Sequence, residues 1–352
     1  MEHIDVAVIG GGQSGLAAAH SLLREGLRPV VLEASGQAAG SWPHYYDSLT
    51  LFSPAQHSSL PGMAFGGDLG RYPHRDEVVA YLLRYAEHLD ADIRTGHRVT
   101  AVRRAGEGFA LDLDGGQALN ARAVVTATGG FGRPNRPALP GLDTFTGTLL
   151  HVAQYRVPVP FAGQRVIVVG AGNSAVQVAV ELAQVARVTL ASRAPVRWIP
   201  QRPLGWDLHF WLTVTGLDAA PLAGFRQRPA TMAVIDDGRY RAALAASRPD
   251  RRPMFTRVDG PVVTWADGAA EEVDAIILAT GYRPDLGYLA PLPGALDGAG
   301  RPRHRDGTSL AHPRLAHVGL EWQRSLSSAS LRGVGRDAAR AARRIARQLR
   351  AR

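Results

Sequence analysis

Apolar residues follow a strand–helix–strand order over the first part of the chain. Residues 4–9 are almost continuously apolar, as expected of a parallel strand that is covered on both faces. Residues 16–26 carry apolar side chains at helical spacing and end on a glycine, and residues 29–33 form a second apolar run. This order predicts a βαβ unit at the start of an α/β domain.

The same order returns in the second half of the chain, at residues 165–169, 176–182 and 188–193. Two further apolar runs end in the same tripeptide, Ala-Thr-Gly, at residues 127–129 and 279–281. The repeated pattern predicts an α/β fold with two Rossmann-like dinucleotide-binding domains, of the three-layer ββα type.

The turn after the first strand has the pattern Gly10-x-Gly12-x-x-Gly15. One glycine allows the tight turn, one lets a pyrophosphate approach the backbone, and one lets helix and strand pack closely. Glu33 ends the second strand, where an acid binds ribose hydroxyl groups. We therefore predict an FAD site whose contacts are Gly10, Gly12, Gln13, Ser14, Gly15, Glu33, Ala34, Ser41, Trp42, Val99, Thr128, Gly129 and Gln323.

The second turn, Gly170-x-Gly172-x-x-Ala175, is followed at the same distance by Arg193 instead of an acid. An arginine at this position accommodates a 2′-phosphate, so we predict NADPH here, although a surface arginine in an NADH site is the alternative. The predicted contacts are Gly170, Gly172, Asn173, Ser174, Ser192, Arg193, Arg197, Thr280 and Gly281.

The NADPH-binding domain is predicted to be inserted in the FAD-binding domain. Residues 1–155 and 276–352 are assigned to the discontinuous FAD-binding domain. Residues 160–275 are assigned to the NADPH-binding domain, with a helical, aromatic insertion at about 198–255. Residues 145–155 join the two and have the pattern F-x-G-x-x-x-H-x-x-x-Y.

Composition removes several other classes of protein. The 352 residues include no cysteine, which excludes disulfides, thiolate metal sites and a redox-active cysteine pair, and we expect no metal site. No apolar run is long enough to span a membrane and no signal peptide is recognisable, so we expect a cytoplasmic protein. A homodimer stays open.

The net charge is +9, and all 40 basic residues are arginine. Seven of them lie within residues 336–352. Such a basic tail is able to bind nucleic acid or an anionic membrane, but the solvated face of a terminal helix is the more frequent explanation. We therefore expect no nucleic-acid partner.

The two glycine turns, the 145–155 pattern and Ala279-Thr-Gly-Tyr282 occur in the order seen in class B flavin-dependent monooxygenases. The resemblance covers essentially the whole chain. The central pattern ends in Tyr155, which resembles the flavin-containing monooxygenase branch rather than Baeyer–Villiger enzymes. Residues 46–54, 59–62 and 319–325 resemble compact bacterial members of the CzcO- or ArsO-like type.

The resemblance implies that NADPH reduces FAD and that O2 then adds to the flavin C4a atom. The resulting hydroperoxide would oxygenate a soft nitrogen, sulfur or arsenic atom of a small molecule. In this chemistry the cofactor carries the reaction and the protein orients it and excludes water.

One position departs from the pattern of the family. Phe52 stands where mammalian-type members carry an asparagine implicated in the NADP–flavin site, and a phenylalanine donates no hydrogen bond. Gln56 or His57 is able to substitute, so we treat Gln56 as a candidate catalytic residue. His151 is a second candidate, although we favour a role that ties domain position to bound NADP(H).

Three alternatives stay open. An NADPH oxidase would follow if Phe52 shortens the life of the oxygen adduct. A flavin disulfide reductase would need an electron acceptor other than a cysteine pair, because the chain has none. A non-catalytic NADP(H) sensor or a nucleic-acid-binding protein would leave two intact fingerprints unexplained.

Overall fold

The structure is a computed structural model that describes residues 2–222 and 233–351. Its helices are α1 (Gln13–Arg24), α2 (Arg75–Glu87), α3 (Asn173–Leu182), α4 (Leu208–Val214), α5 (Arg239–Ala245) and α6 (Leu331–Arg350). Its strands are β1 (Glu2–Ile9), β2 (Pro29–Leu32), β3 (Asp92–Arg94), β4 (Val99–Ala105), β5 (Gly108–Leu113), β6 (Ala118–Thr126), β7 (Arg133–Pro134), β8 (Thr148–His151), β9 (Arg165–Val169), β10 (Arg187–Ser192), β11 (Trp198–Pro200), β12 (Val234–Asp236), β13 (Asp250–Pro253), β14 (Arg257–Asp259), β15 (Val262–Thr264), β16 (Ala270–Glu272), β17 (Ala275–Leu278), β18 (Tyr282–Arg283), β19 (His304–Arg305), β20 (Thr308–Ser309) and β21 (Leu315–His317).

The first sheet has a parallel centre, in the order β3–β2–β1–β6–β21. Alternate residues of β1 face opposite sides, as strand geometry requires. Val6 and Val8 contact the layer that contains α1 and α6, whereas Ala7 and Ile9 contact the antiparallel β4–β5 hairpin. The sheet therefore has helices on one face and strands on the other, as predicted.

The second sheet repeats this arrangement with five parallel strands, in the order β13–β10–β9–β17–β8. Val166 and Val168 pack towards α3, and Ile167 and Val169 pack towards the antiparallel strands β14–β16. The predicted α/β class with two three-layer Rossmann-like units is confirmed.

Sheet membership differs from the predicted domain ranges at two strands. β8 lies within residues 1–155 and β17 lies within residues 276–352 apart from its first residue, yet both are hydrogen-bonded in the second sheet. A division by sheet would therefore fall before Thr148 and after Leu278.

The predicted insertion at about 198–255 contains α4, α5 and the β11–β12 pair, but its residues 223–232 lie outside the described residues. Within residues 2–222 and 233–351, none of the helices combines the length and the apolar character needed to cross a bilayer.

Candidate functional site

The first glycine loop is a tight turn between β1 and α1. Gly10 has a φ of 107°, and a Cβ atom on Gly15 would lie 1.8 Å from the Gly10 carbonyl oxygen. Gly12 is the N-cap of α1 and makes no side-chain cap hydrogen bond. The first N–H groups of α1 are therefore free of a protein cap, and the positive end of the helix dipole is available to an anion.

Glu33 closes this loop from the end of β2. It is buried, and its Oε2 accepts a hydrogen bond from the Gly11 N–H at 2.6 Å. Its Oε1 accepts hydrogen bonds from the N–H and the hydroxyl of Ser35 at 2.7 and 2.8 Å. These donors explain how a carboxylate is tolerated inside the protein. Ala34 follows it in a half-buried position.

Gln13 connects three parts of the first site. Its Oε1 accepts a hydrogen bond from the Trp42 indole N–H at 2.8 Å, and its Nε2 donates to the Ala329 carbonyl at 3.3 Å. Ser41 is exposed beside Trp42 and contacts the Tyr45 hydroxyl at 3.1 Å. The start of α1, the loop after β2 and the start of α6 thus converge.

The turn after β21, which contains Gly319 and Gln323, packs on Ser14 at this convergence. Gly319, with a φ of 89°, lies so close to Ser14 that a Cβ on Gly319 would be 2.0 Å from the Ser14 hydroxyl oxygen. Gln323 is buried, and its Nε2 has no hydrogen-bond partner among the described residues. A buried amide donor without a partner is costly, which fits a group that a bound cofactor would satisfy.

The remaining predicted contacts of the first site lie at the same edge of the sheet. Thr128 and Gly129 follow β6, and the Thr128 hydroxyl contacts the Tyr288 hydroxyl at 3.2 Å. Val99 begins β4 and is buried, two residues after His97, whose N–H donates to the Glu33 carbonyl at 2.8 Å.

The second glycine loop has the same path and is looser at its second glycine. A Cβ on Gly170 would lie 2.5 Å from the Ala279 carbonyl oxygen and 2.9 Å from the Cβ of Ala175. Gly172 is the N-cap of α3, again without a side-chain cap, and a Cβ there would meet no atom within 4 Å. An open helix N-terminus with free space beside it suits a dinucleotide phosphate.

Two predicted contacts of the second site already have protein partners. Asn173 Oδ1 accepts from the Ile235 N–H at 3.0 Å, and its Nδ2 donates to the Ala233 carbonyl at 3.4 Å. The Ser174 side chain is hydrogen-bonded to Tyr46. Both residues fix the surroundings of the loop.

Arg193 lies immediately after β10 and is exposed. It makes no ion pair with an acid of residues 2–222 or 233–351. The Ser192 hydroxyl donates to the Ala194 carbonyl at 2.9 Å, and Arg197 is exposed three residues further on. The structure therefore brings the three residues to the carboxyl end of the second sheet.

His151 is fully buried where β8 meets the loop after β17. Its Nε2 contacts the Gly281 carbonyl oxygen at 3.1 Å, and its Nδ1 accepts from the Ala153 N–H at 3.1 Å. Burial first, and then the charge of Arg136, lowers the pKa of His151. With both ring nitrogens bonded inside the chain, His151 offers no nitrogen to a reactant, and we carry it forward as a positioning residue.

The loop at Gly281, which His151 contacts, is also hydrogen-bonded to the residue that follows β7. The Thr280 hydroxyl donates to the Asn135 carbonyl at 2.5 Å, and the Asn135 N–H donates to the Gly281 carbonyl at 2.9 Å. The Tyr282 ring packs edge-on to His151 with ring centres 4.9 Å apart. The second Ala-Thr-Gly turn is therefore fixed to the join.

Two other residues of the 145–155 pattern anchor this segment to the second unit. Tyr155 is buried, and its hydroxyl donates to Glu181 of α3 at 2.8 Å. A Cβ on Gly147 would lie 2.4 Å from the Asp274 carbonyl oxygen, so the close backbone approach that requires glycine is present.

The sequence did not indicate a polar cluster between the insertion and the first unit. Asp207 accepts hydrogen bonds from the Tyr72 hydroxyl at 2.6 Å and from Gln201 Nε2 at 2.8 Å, and contacts His209 Nδ1 at 2.8 Å. Burial raises the pKa of Asp207, but these hydrogen bonds outweigh it and hold the pKa well below its usual range. The position of Asp207 as N-cap of α4 was the available signal.

His57, rather than Gln56, faces this cluster. The Gln56 residue is exposed, whereas His57 is half-buried with its ring centre 6.3 Å from that of His209. Burial, followed by the neighbouring His209, lowers the pKa of His57. The Phe52 carbonyl accepts from Gln201 Nε2 at 3.0 Å, which fixes the loop on the insertion.

Asp218 forms a second contact between the insertion and the first unit. It is buried, and its carboxylate binds Arg332 Nε and an Arg336 terminal nitrogen at 2.9 Å each. Its carbonyl accepts from the Ser327 hydroxyl at 2.7 Å. The insertion is thus attached to the first turns of α6.

Comparison with known proteins agrees with this geometry. The pyridine nucleotide-disulphide oxidoreductase family matches residues 7–204. An uncharacterized CzcO-like oxidoreductase of Geobacillus kaustophilus is 32% identical over 356 residues, covering 96% of this chain and 97% of the relative. An indole-3-pyruvate monooxygenase of the YUCCA group from Oryza sativa subsp. japonica is 32% identical over 316 residues, covering 79% and 77%.

Among solved structures, a flavin-containing monooxygenase from Stenotrophomonas maltophilia superimposes on this chain with a TM-score of 0.86. It is 33% identical, and the match covers 99% of this chain and 100% of that one. The chain therefore belongs to the pyridine nucleotide-disulphide oxidoreductase family and, within it, to the class B flavin-dependent monooxygenases. It is an oxidoreductase whose family uses a flavin and a nicotinamide cofactor.

Proposed function

We propose that the protein is an NADPH- and FAD-dependent monooxygenase that oxygenates a soft nitrogen, sulfur or arsenic atom of a small molecule. The observation that carries the proposal is the pair of uncapped glycine loops, one closed by buried Glu33 and the other by exposed Arg193. An acid favours a free ribose and an arginine favours a 2′-phosphate, so the two loops suit FAD and NADPH respectively.

The residues of the first loop fit a flavin dinucleotide. The N–H groups at the start of α1 would bind its pyrophosphate, and Glu33 has lone pairs left for ribose hydroxyl groups. The buried Nε2 of Gln323, in the turn that packs on Ser14 through Gly319, supplies an unused donor. In the second loop, Gly172 leaves space for phosphates and Arg193 is free to pair with a further one.

When bound and reduced by NADPH, the flavin supplies the activation of O2: one oxygen atom enters the substrate and the other leaves as water. The chain itself holds the reacting groups in place and excludes water. His151 fixes the loop at Gly281, and the contacts of Asp207 and Asp218 hold the insertion against the first unit.

A second candidate function is an NADPH oxidase that releases hydrogen peroxide. Phe52 favours it, because its ring supplies no hydrogen bond at a position where a donor is found in mammalian-type members of the family. The absence of cysteine argues against a disulfide reductase, since the chain contains no dithiol to pass electrons through.

The experiment that separates these functions measures products made under 18O2 with NADPH. The flavin-loaded protein is given a thioether, a tertiary amine or arsenite, and both the oxygenated product and hydrogen peroxide are measured per NADPH consumed. We expect one 18O atom in the product of at least one class. Peroxide equal to the NADPH consumed, with no labelled product from any class, would establish the oxidase instead.

Phe52→Asn is the informative variant in this assay. If Phe52 causes loss of activated oxygen, the substitution raises the product formed per NADPH and lowers peroxide. Ser48→Ala serves as a matched control in the same segment, because the exposed Ser48 side chain has no hydrogen bond among the described residues.

A further inference from the structure

The exposed face of α6 carries arginine alone. Every exposed position of the helix is an arginine: Arg336, Arg340, Arg343, Arg344, Arg347 and Arg350. The apolar face, which includes Leu331, Val334 and Ile345, is buried in the first core beside α1. Asp337 is the one acid on the helix, and it is buried. The helix therefore presents positive charge to solvent without acids between the arginines.

Part of this face forms one wall of a cavity of about 520 Å3. The opposite wall is the loop at residues 59–61. Among the described residues, five arginines and no acid line the cavity; the arginines are Arg324, Arg332, Arg336, Arg340 and Arg343. We call this cavity the arginine groove.

The charges of the arginine groove are only partly balanced. Asp337 binds Arg324 Nε at 2.9 Å, and Asp218 binds both Arg332 and Arg336. Arg340 and Arg343 have no ion pair with an acid in residues 2–222 or 233–351. Two carboxylates therefore face five guanidinium groups. Like charges at helical i, i+3 and i, i+4 spacing repel one another. A bound anion would offset this repulsion.

The groove is also built to hold an anion in a fixed place. The Arg324 side chain is 8% exposed, and its Nε bond to Asp337 orients the guanidinium group before any ligand arrives. At the opposite wall, the Ser59 hydroxyl oxygen accepts from the Phe65 N–H at 3.0 Å, which leaves its own O–H free to donate. Guanidinium groups match the oxygen atoms of phosphate in pairs, and several of them favour a ligand with more than one negative charge.

We propose that the arginine groove is a binding site for a small phosphate-bearing anion that carries more than one negative charge. Arg332 and Arg336 also pair with Asp218 of the insertion, whereas Arg340 and Arg343 lie on the exposed face of α6 and belong to neither predicted dinucleotide site. A soluble phosphate ester and an anionic lipid headgroup share the required chemistry.

The first test is thermal unfolding of the flavin-loaded protein with NADP+ at saturation, so that both dinucleotide sites are occupied. We expect sodium pyrophosphate to raise the Tm by about 3 °C over sodium chloride of equal ionic strength, as a ligand well above its Kd does. Arg340→Gln combined with Arg343→Gln should remove most of this shift. The control is Arg344→Gln with Arg347→Gln, which removes the same charge from exposed positions of the same helix outside the groove.

An equal loss of the shift in both double variants would overturn the proposal, because the charge of the helix would then matter and the groove would not. No shift beyond that of chloride, together with no vesicle binding, would overturn it as well.

Co-sedimentation with phosphatidylglycerol vesicles, but not phosphatidylcholine vesicles, distinguishes the two sources. Vesicle binding lost only in the Arg340/Arg343 variant supports a lipid headgroup, and a pyrophosphate shift without vesicle binding supports a soluble ligand. Duplex DNA is the third probe. If DNA bound in a salt-sensitive way and all four substitutions weakened it equally, the proposal would be overturned in favour of a nucleic-acid-binding surface.

Discussion

The two glycine loops of this chain share a backbone path and differ in the residue that closes each one. Glu33 is buried and binds its own loop through the Gly11 N–H, whereas Arg193 is exposed and reaches into open space. A carboxylate is tolerated inside because three hydrogen bonds satisfy it, while the guanidinium group keeps its hydration until a ligand arrives. Under the proposed function, the shared backbone would bind a phosphate and the closing residue would set the preference between dinucleotides.

The loops also differ in how tightly helix and strand approach each other. In the first loop a Cβ on Gly15 would lie 1.8 Å from a backbone oxygen, so that only glycine fits. In the second loop the third position is Ala175, whose Cβ is accommodated and packs against the buried core of the second unit. The first loop therefore has no tolerance for an added methyl group, and the second loop already contains one.

The largest expected effect follows from this difference in packing. Gly15→Ala should destabilise the protein by about 3 kcal/mol or more and abolish flavin binding, because the backbone must shift to admit the Cβ atom. The reciprocal change, Ala175→Gly, should cost only about 1 kcal/mol. Denaturant unfolding and the flavin-to-protein absorbance ratio measure both. Equal costs would show that the two loops are equally tight.

Arg193→Ala tests the closing residue of the second loop. We expect the kcat/KM for NADPH to fall about 30-fold and that for NADH to change little, because a charge-assisted contact to a phosphate is worth about 2 kcal/mol. Arg187→Ala, at the other end of β10, removes the same charge from an exposed position as the control. A preference unchanged by Arg193→Ala would remove the 2′-phosphate role from this residue.

Glu33→Gln tests the closing residue of the first loop and should act on the other cofactor. The amide keeps the shape of the carboxylate but loses its charge and turns an N–H2 group towards protein donors, so the Kd for FAD should rise about tenfold. Fluorescence titration of the flavin-free protein measures this, with the exposed Glu87→Gln as control. If NADPH binding weakened and FAD binding did not, the assignment of the two loops would be reversed.

The effect that is smallest near neutral pH concerns His317 in the first sheet. Burial, and then the neighbouring His304, lowers the pKa of His317 to about 3. The unfolded chain therefore binds this proton more readily, and stability is lost as pH falls from about 6.5 towards 3, by up to about 1.4 kcal/mol per unit. His317→Gln should flatten this part of the curve of unfolding free energy against pH. An unchanged slope would mean that other groups dominate acid unfolding.

The two glycine loops and the strands on either side of each loop were predictable, because each rests on a local pattern. The membership of β8 and β17 in the second sheet was not predictable, because strand pairing is set by contacts far apart in sequence. Whether Glu33 and Arg193 bind the two riboses stays a prediction.

Residues whose role depends on distant partners were also missed. Asp207 and Tyr72 meet only in the folded chain, as do Asp218 and Arg332. Gln56 was proposed from its loop position alone, and the fold leaves it exposed. Local chemistry predicts which loops bind phosphate, whereas burial and long-range pairing decide which side chains are still free to react.

Calorimetric titration of the FAD-loaded protein with NADP+ and with NAD+ measures whether the two loops bind different dinucleotides. We expect one NADP+ bound per chain, at least tenfold more tightly than NAD+. Equal affinity for the two nucleotides, or displacement of the flavin by NADP+, would contradict it.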